Sequence, residues 1–303
     1  MTDPRLPAET GASTLPLLHR RVLDWYAGQA RALPWRLRSA TPWGVFLSEV
    51  MAQQTPVARV EPVWLEWMQR WPTPAALAAA TPGDVVRAWG RLGYPRRALR
   101  LHDAATAMVQ RHGGQVPATV GELLALPGVG DYTASAVACF AFGVRATVID
   151  TNVRRVLVRT LAGAPHAAPS LTRSERELAD SAMPADTDDA NTWNVAAMEL
   201  GALVCTARAP RCDDCPVADL CAWALAGRPA YEGPPRKGQS WHGSDRQVRG
   251  LMLAVLREAA GPVPAARLDE AWPDEQQRRR CLDSLVADGL AQPLPGKGFR
   301  LPA

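Results

Sequence analysis

The chain has 303 residues, of which 47% are apolar and 21% charged, with a formal net charge of +4. That length predicts about two domains with room for a small third, and the composition excludes a mainly disordered chain because a sizeable core can be buried. Six cysteines are too few for a disulfide scaffold of this size, and the most apolar run, residues 134–144, is far shorter than the ~20 residues a membrane-crossing helix needs. The first residues lack the basic-then-apolar pattern of a signal peptide, so a soluble, cytoplasmic protein of a reducing compartment is expected. Lysine occurs only at Lys237 and Lys297. A GC-rich genome explains that bias, and it leaves few amines for catalysis.

Most of the chain reads as helix. Leu15, Leu18, Val22, Leu23 and Tyr26 form an apolar stripe that predicts a helix over 15–31. Short helices follow over 43–54, 62–70, 75–79, 83–89, 96–112, 120–125 and 132–142, punctuated by proline and glycine. Residues 144–149 are the best strand candidate. A helix over 153–160 comes next, and later an apolar helix ending at Val204. Residues 227–245, rich in glycine and proline, read as a linker. Beyond it, helices over 246–258, 265–272 and 275–288 precede two short extended pieces within 289–301. Three helices and a hairpin resemble a small winged-helix-like module over 246–303.

Three segments carry chemistry. Cys205, Cys212, Cys215 and Cys221 gather four thiols into a short stretch, which in a reducing compartment points to a metal site. Four thiolates suit either a zinc ion or an iron–sulfur cluster, although zinc sites usually show two Cys-x2-Cys pairs and here there is one. Leu126-Pro127-Gly128-Val129-Gly130 lies between two predicted helices; it is either an ordinary turn or a loop whose N–H groups receive phosphate. Asp150, in Val148-Ile149-Asp150-Thr151-Asn152, is either a helix cap or a catalytic carboxylate. Glu49 lies in the mostly apolar Leu47-Ser48-Glu49-Val50-Met51 run, where an acid is either exposed or kept protonatable by burial.

The cysteine spacing, the LPGVG turn and the aspartate 20 residues beyond its last glycine together resemble the endonuclease III / MutY superfamily of DNA glycosylases, over roughly residues 15–223. Leu47-Ser48-Glu49-Val50-Met51-Ala52-Gln53-Gln54-Thr55 resembles the segment that distinguishes the MutY-type adenine glycosylases. The resemblance implies a mainly α, two-lobed helix-hairpin-helix DNA glycosylase core with an iron–sulfur loop. One lobe spans 41–147, and the other combines 1–40 with 148–226. DNA would lie between them, and the C-terminal winged-helix-like module would be added.

The implied activity is monofunctional excision of adenine mispaired with 8-oxoguanine or guanine in double-stranded DNA, by a monomeric, nucleoid-associated bacterial enzyme. Glu49 would protonate the adenine, and Asp150 would stabilise or capture the sugar cation. Tyr132 and Asn152 would guide water. Glu49 would be raised by burial and Asp150 kept ionised. Arg31, Trp35 and Arg36 match the purine pocket. Gln53, Gln54 and Tyr94 match the wedge that fills the gap left by the flipped base, and Thr55 and Leu92 beside them are further implied DNA-binding residues. Gly128 and Gly130 would receive phosphate, and Arg208 and Arg211 of the cysteine loop would touch DNA. The four cysteines would hold a [4Fe-4S] cluster. Arg87, Arg91, Arg96, Arg97, Arg100 and Arg111 read as either a solvated helix face or, beside the glycine turn, a phosphate track.

Lyase members of the superfamily place a lysine where Tyr132 stands, and no lysine precedes Lys237, so Schiff-base chemistry is not expected. The Asp-Thr-Asn triplet replaces the commoner Asp-Gly-Asn, and Pro95 follows the wedge tyrosine. The stretch 246–303 is too short for the MutT-like domain that reads oxidised guanine in many members. Two rivals stay open: a mismatch thymine or uracil glycosylase of the same superfamily, and a non-catalytic cluster-bearing DNA-binding protein.

Overall fold

A computed structural model describes residues 11–233 and 241–303. In chain order its helices are α1 (Gly11–Gln29), α2 (Pro42–Met51), α3 (Val57–Arg70), α4 (Pro74–Ala78), α5 (Pro82–Trp89), α6 (Arg96–His112), α7 (Val120–Leu124), α8 (Asp131–Phe142), α9 (Thr151–Thr160), α10 (Arg173–Ser181), α11 (Thr187–Leu203), α12 (Ala222–Leu225), α13 (Asp245–Glu258), α14 (Ala265–Asp269) and α15 (Glu275–Ala287). A two-stranded antiparallel sheet, β1 (Gln292–Leu294) and β2 (Gly298–Arg300), closes the chain. The mainly helical class is as expected, and most helices start at a side-chain cap. Thr41, Thr73, Thr81, Asp150, Thr172, Asp186, Ser244 and Asp274 each accept a first-turn N–H.

The expected strand at 144–149 does not form. Its backbone is served by a side chain instead: Asn194 Oδ1 accepts from the Val148 N–H (3.1 Å) and Asn194 Nδ2 donates to the Ala146 carbonyl (2.8 Å). An amide on α11 thus supplies the donor and acceptor that a neighbouring strand would have provided. Two other boundaries shift. α3 begins at Val57 and carries Pro62 inside it, rather than starting there, and α10 forms where no helix was expected. Part of the expected linker, 234–240, lies outside the described residues.

The chain divides into two compact units. Among the described residues the first takes 11–38, 118–120 and 130–233, and the second takes 39–117, 121–129 and 241–303. The division falls near Gly130 rather than at 147/148, so α8 belongs with the cysteine loop. The C-terminal module groups with the helices of 39–117.

In the first unit, α1, α9 and α11 bury Leu18, Val22, Val156, Leu157, Trp193, Ala197 and Leu200 in one core. In the second, indoles dominate. Trp43, Trp64, Trp67 and Trp89 are buried, and each indole N–H reaches a carbonyl: Trp71, Gly44, Ala88 and Gly93 respectively. A large apolar ring is buried there without leaving its donor unpaired.

The C-terminal module is built from α13, α14, α15 and the β1–β2 hairpin, to which Val263 adds a bridge at Phe299. It docks on α5 and α6. The Arg257 guanidinium is drawn down to about 10 by burial, and its Nε donates to the Val86 carbonyl at 2.9 Å. No helix among the described residues is long and apolar enough to cross a membrane.

Candidate active site and cysteine loop

α2 is buried from Trp43 to Met51, and Glu49, 8% exposed, sits within that run. That burial decides between the two sequence readings: this carboxyl is not a surface group. Two turns follow from the ends of α2 and α5. The first carries Gln53, Gln54 and Thr55, and the second carries Leu92, Gly93 and Tyr94. Of the expected DNA-binding residues on these turns, Leu92 (4% exposed) and Thr55 (7%) are buried, and the Thr55 hydroxyl donates to the Leu92 carbonyl at 3.1 Å. Gln54 and Tyr94 are exposed, and both hold positive φ, 53° and 47°. Only one other described non-glycine residue, Arg228, does so. The left-handed region costs a side-chain-bearing residue of order 1 kcal/mol or more, and Tyr94 additionally precedes a proline, so both conformations require outside support.

Arg97 supplies that support. Its Nη1 donates to the carbonyls of Val50 (2.8 Å), Met51 (3.2 Å) and Gln53 (2.7 Å), and its Nη2 to Thr55 Oγ1 (3.0 Å) and the Gly93 carbonyl (3.1 Å). One buried fork therefore caps the C-terminal end of α2 and ties both turns together. The guanidinium lies over Trp89 and Tyr94, and burial lowers its pKa to about 10. Sequence reading placed Arg97 in a phosphate track, and its burial removes it from that role. The other five arginines are exposed, Arg87 donating to the Arg257 carbonyl and Arg96 pairing with Asp288.

Asp150 N-caps α9. One carboxylate oxygen accepts from the Val153 N–H and the other from Asn152 Nδ2, both at 2.7 Å. Both sequence readings of this residue, cap and reactive carboxylate, are compatible with that geometry. Its pKa departs from the expectation: burial pushes the carboxyl above its ordinary value, against the Val153 and Asn152 donors and the Arg155 charge. Asn152 Oδ1 in turn accepts from Arg155 Nη2 (2.7 Å), and Arg155 Nε donates to the Cys205 carbonyl (2.6 Å). Three side chains thus run from the carboxylate to the cysteine loop. Tyr132 packs beside Ala136, Cys139 and Val148, in the same unit.

Arg31 and Arg36 are committed inside the first unit. Glu199, fully buried on α11, accepts from Arg31 Nε (2.6 Å) and Nη2 (2.7 Å) and from Arg36 Nη1 (3.0 Å). Burial raises this carboxyl, but the Arg31 hydrogen bonds and the two guanidinium charges outweigh it and leave it below its ordinary value. Trp35, between the two arginines, is buried. Glu199 and Arg155 were missed by sequence reading. The available signal for Glu199 was a single acid in the apolar run Met198-Glu199-Leu200-Gly201.

In the LPGVG loop, Gly128 has φ 73°, and a Cβ there would lie 2.7 Å from the Arg100 Cβ. Conformation and space both demand glycine. Gly130 N-caps α8 in extended conformation without a side-chain cap, which leaves first-turn N–H groups for another acceptor.

Cys205, Cys212, Cys215 and Cys221 are free thiols lining one cavity of about 380 Å³, open solvent included, with Leu200, Val204 and Trp223. Arg159, stacked on Trp223, donates to Cys205 Sγ at 3.3 Å. Burial pushes the Cys215 thiol up to about 11 and raises that of Cys221, so holding these sulfurs as thiolates needs positive charge. No three His, Cys, Asp or Glu side chains among the described residues converge on one ion position. The four cysteines line one cavity, and four thiolates suit an iron–sulfur cluster. Arg208 is exposed. Arg211 is also exposed, but it donates to the Leu203 carbonyl.

Residues 47–180 match the model of the HhH-GPD superfamily base excision DNA repair proteins, and residues 205–221 that of the iron–sulfur binding domain of endonuclease III. The chain is 52% identical over 287 residues to the adenine DNA glycosylase of Mycobacterium tuberculosis, covering 92% of this chain and 93% of that protein. A match of that extent reaches into the C-terminal module. The chain is also 42% identical over 213 residues to the adenine DNA glycosylase of Homo sapiens, covering 66% of this chain and 38% of that one. A solved thermostable thymine-DNA glycosylase is similar in structure, with a TM-score of 0.63 and 25% identity, covering 71% of this chain and 98% of that one.

Proposed function

The chain belongs to the adenine DNA glycosylases of the HhH-GPD base excision repair superfamily, and on that premise we propose that it removes adenine paired with 8-oxoguanine or guanine, as a monofunctional enzyme. Adenine excision itself, an iron–sulfur group and a DNA partner follow from the family. The opposite base, the single function and the residue roles are the proposal.

The burial of Glu49 carries it. Adenine is a poor leaving group as an anion, so its departure requires protonation, and the carboxyl shielded within α2 is the group proposed to deliver the proton. The target nucleotide leaves the stack, and Gln54 and Tyr94, the exposed members of the two turns, fill the gap. Glu49 donates to N7 of the base. The C1′–N9 bond breaks through an oxocarbenium-like state. Asp150, aligned by Val153 N–H and Asn152, stabilises or captures the cation on its sugar side, and water guided by Tyr132 and Asn152 completes hydrolysis. Phosphates are received at Gly128 and Gly130 and by Arg208 and Arg211. The four cysteines would hold a [4Fe-4S] cluster whose contribution is structural, fixing the loop that carries those arginines. Tyr132 at the lyase position, and the lack of lysine before Lys237, support release of an abasic site without strand cleavage.

The test is single-turnover excision from duplexes carrying A, T or U opposite normal and oxidised guanine. Adenine opposite 8-oxoguanine should be removed fastest, and borohydride should trap no covalent enzyme–DNA adduct. Preferred excision of T or U would replace the proposal with the mismatch-pyrimidine reading. Absence of abasic product from every duplex would replace it with the non-catalytic one. Visible charge-transfer absorbance lost in Cys212→Ser tests the cluster.

A further inference from the structure

The turn that carries Tyr94 is suspended between α5 and α6, and the C-terminal module holds both helices. On α5, Arg87 Nε donates to the Arg257 carbonyl at 3.0 Å and Arg257 Nε to the Val86 carbonyl at 2.9 Å. At the start of the same helix the chain terminus approaches so closely that a Cβ on Gly83 would lie 2.4 Å from the Pro302 carbonyl oxygen. On α6, Arg96 pairs with Asp288 at 3.2 Å, and Asp288 is itself anchored by Arg249 at 2.5 Å. Arg246, three residues before Arg249 and so on the same face of α13, places its guanidinium 5.2 Å from the centre of the Tyr94 ring. Two residues on one helix face therefore engage the wedge turn, one directly on the tyrosine and one through Asp288 and Arg96.

We infer that the C-terminal module braces the wedge, with Arg246 as a positioning residue that fixes the Tyr94 ring for insertion into the duplex. The inference rests on the proposed wedge role of Tyr94. Tyr94 is 46% exposed, holds φ 47° and precedes Pro95, so its own backbone does not favour the conformation it adopts. Arg97 secures the turn from inside, with its guanidinium 5.5 Å from the same ring. Arg246 adds a cation over the ring from the module. The module thus contributes to target recognition through the core's own tyrosine. Its α15 arginines are spent locally: Arg278, Arg279 and Arg280 pair with Asp269, Glu275 and Asp245.

The full chain, labelled with 3-fluorotyrosine, gives four fluorine resonances, because it has four tyrosines. The Tyr94 line is assigned by its loss in Tyr94→Phe. Arg246→Ala should shift that line, and Arg246→Lys should leave it nearer the wild-type position. Affinity for a duplex carrying 2′-fluoro-2′-deoxyadenosine opposite 8-oxoguanine, which resists excision, should fall roughly two- to five-fold in Arg246→Ala. The same change should have no effect in a Tyr94→Leu background, while the single-turnover rate at saturating enzyme changes less than the affinity. An unmoved Tyr94 resonance overturns the inference. So does an equal loss of affinity in both backgrounds, which would make Arg246 a direct phosphate contact. If the wild type excises no adenine, the proposed function fails, and the resonance still decides the brace.

Discussion

Replacing Arg97 by methionine keeps an apolar stem of similar length and removes the fork. Five acceptors lie within 3.2 Å of its two terminal nitrogens: the carbonyls of Val50, Met51, Gln53 and Gly93, and Thr55 Oγ1. A hydrogen bond from a charged donor contributes about 1.5–3 kcal/mol, and an orphaned buried acceptor costs about 1–3 kcal/mol. These contributions are not additive, because the five share one guanidinium and partial relaxation admits water to the exposed edge at Gly93. About 4 kcal/mol is a reasonable net loss. In a unit of this size each kcal/mol moves the midpoint by about 2–4 °C, so the transition of the second unit should fall by roughly 8–16 °C.

Arg97→Lys should recover less than half of that, since one ammonium cannot reach five acceptors fixed in a fork. Calorimetry resolves the loss. Single-turnover excision should fall as well, because both Gln54 and Tyr94 lose the tie that holds their turns. A midpoint within about 2 °C of wild type would refute the reasoning, as the fork would then be dispensable to both turns.

Asp150→Asn should abolish most excision while leaving the melting temperature at neutral pH equal or higher. Asparagine still caps α9, and a buried carboxylate has been neutralised. The sign follows from the raised pKa: the folded-state contribution of Asp150 is present below its unfolded value of 3.8 and is lost as pH rises through the folded value. A clear loss of stability at neutral pH would contradict it. Glu199→Gln should cost about 3 kcal/mol, the lower end for breaking a buried pair because Arg31 is a third exposed. Its carboxyl is lowered in the fold, so this contribution is present above 4.5 and lost as pH falls through the folded value, and a melting series against pH should show the mutant's deficit shrinking in acid. Glu49→Gln should slow single-turnover excision by about 10²–10⁴ without weakening duplex binding comparably, and a rate within a few-fold of wild type would remove Glu49 from its role.

Sequence alone determined the helical class, the C-terminal order of three helices and a hairpin, and the segments that carry the chemistry. These are local properties. Thr and Asp caps, the 3.6-residue stripe and the spacing of four cysteines are written within one or two turns of chain. Glu49 and Asp150 stood out through the motifs they share with the family, because by themselves an acid in an apolar run reads as a surface group and an acid before a helix as an ordinary cap.

What sequence left open depended on partners far along the chain. Whether Glu49 is shielded was settled by the burial of the whole of α2. The 144–149 segment has strand-like composition but no strand beside it, and Asn194, some 46 residues on, takes that place. Arg97 looks like any other member of an arginine run until its acceptors, 4 to 47 residues away, are brought to it. Sequence reading grouped those arginines as one phosphate track. Tertiary structure decided which are solvated and which are buried struts, because a guanidinium's role is set by the carbonyls and carboxylates that surround it, and no property of the residue itself reports them.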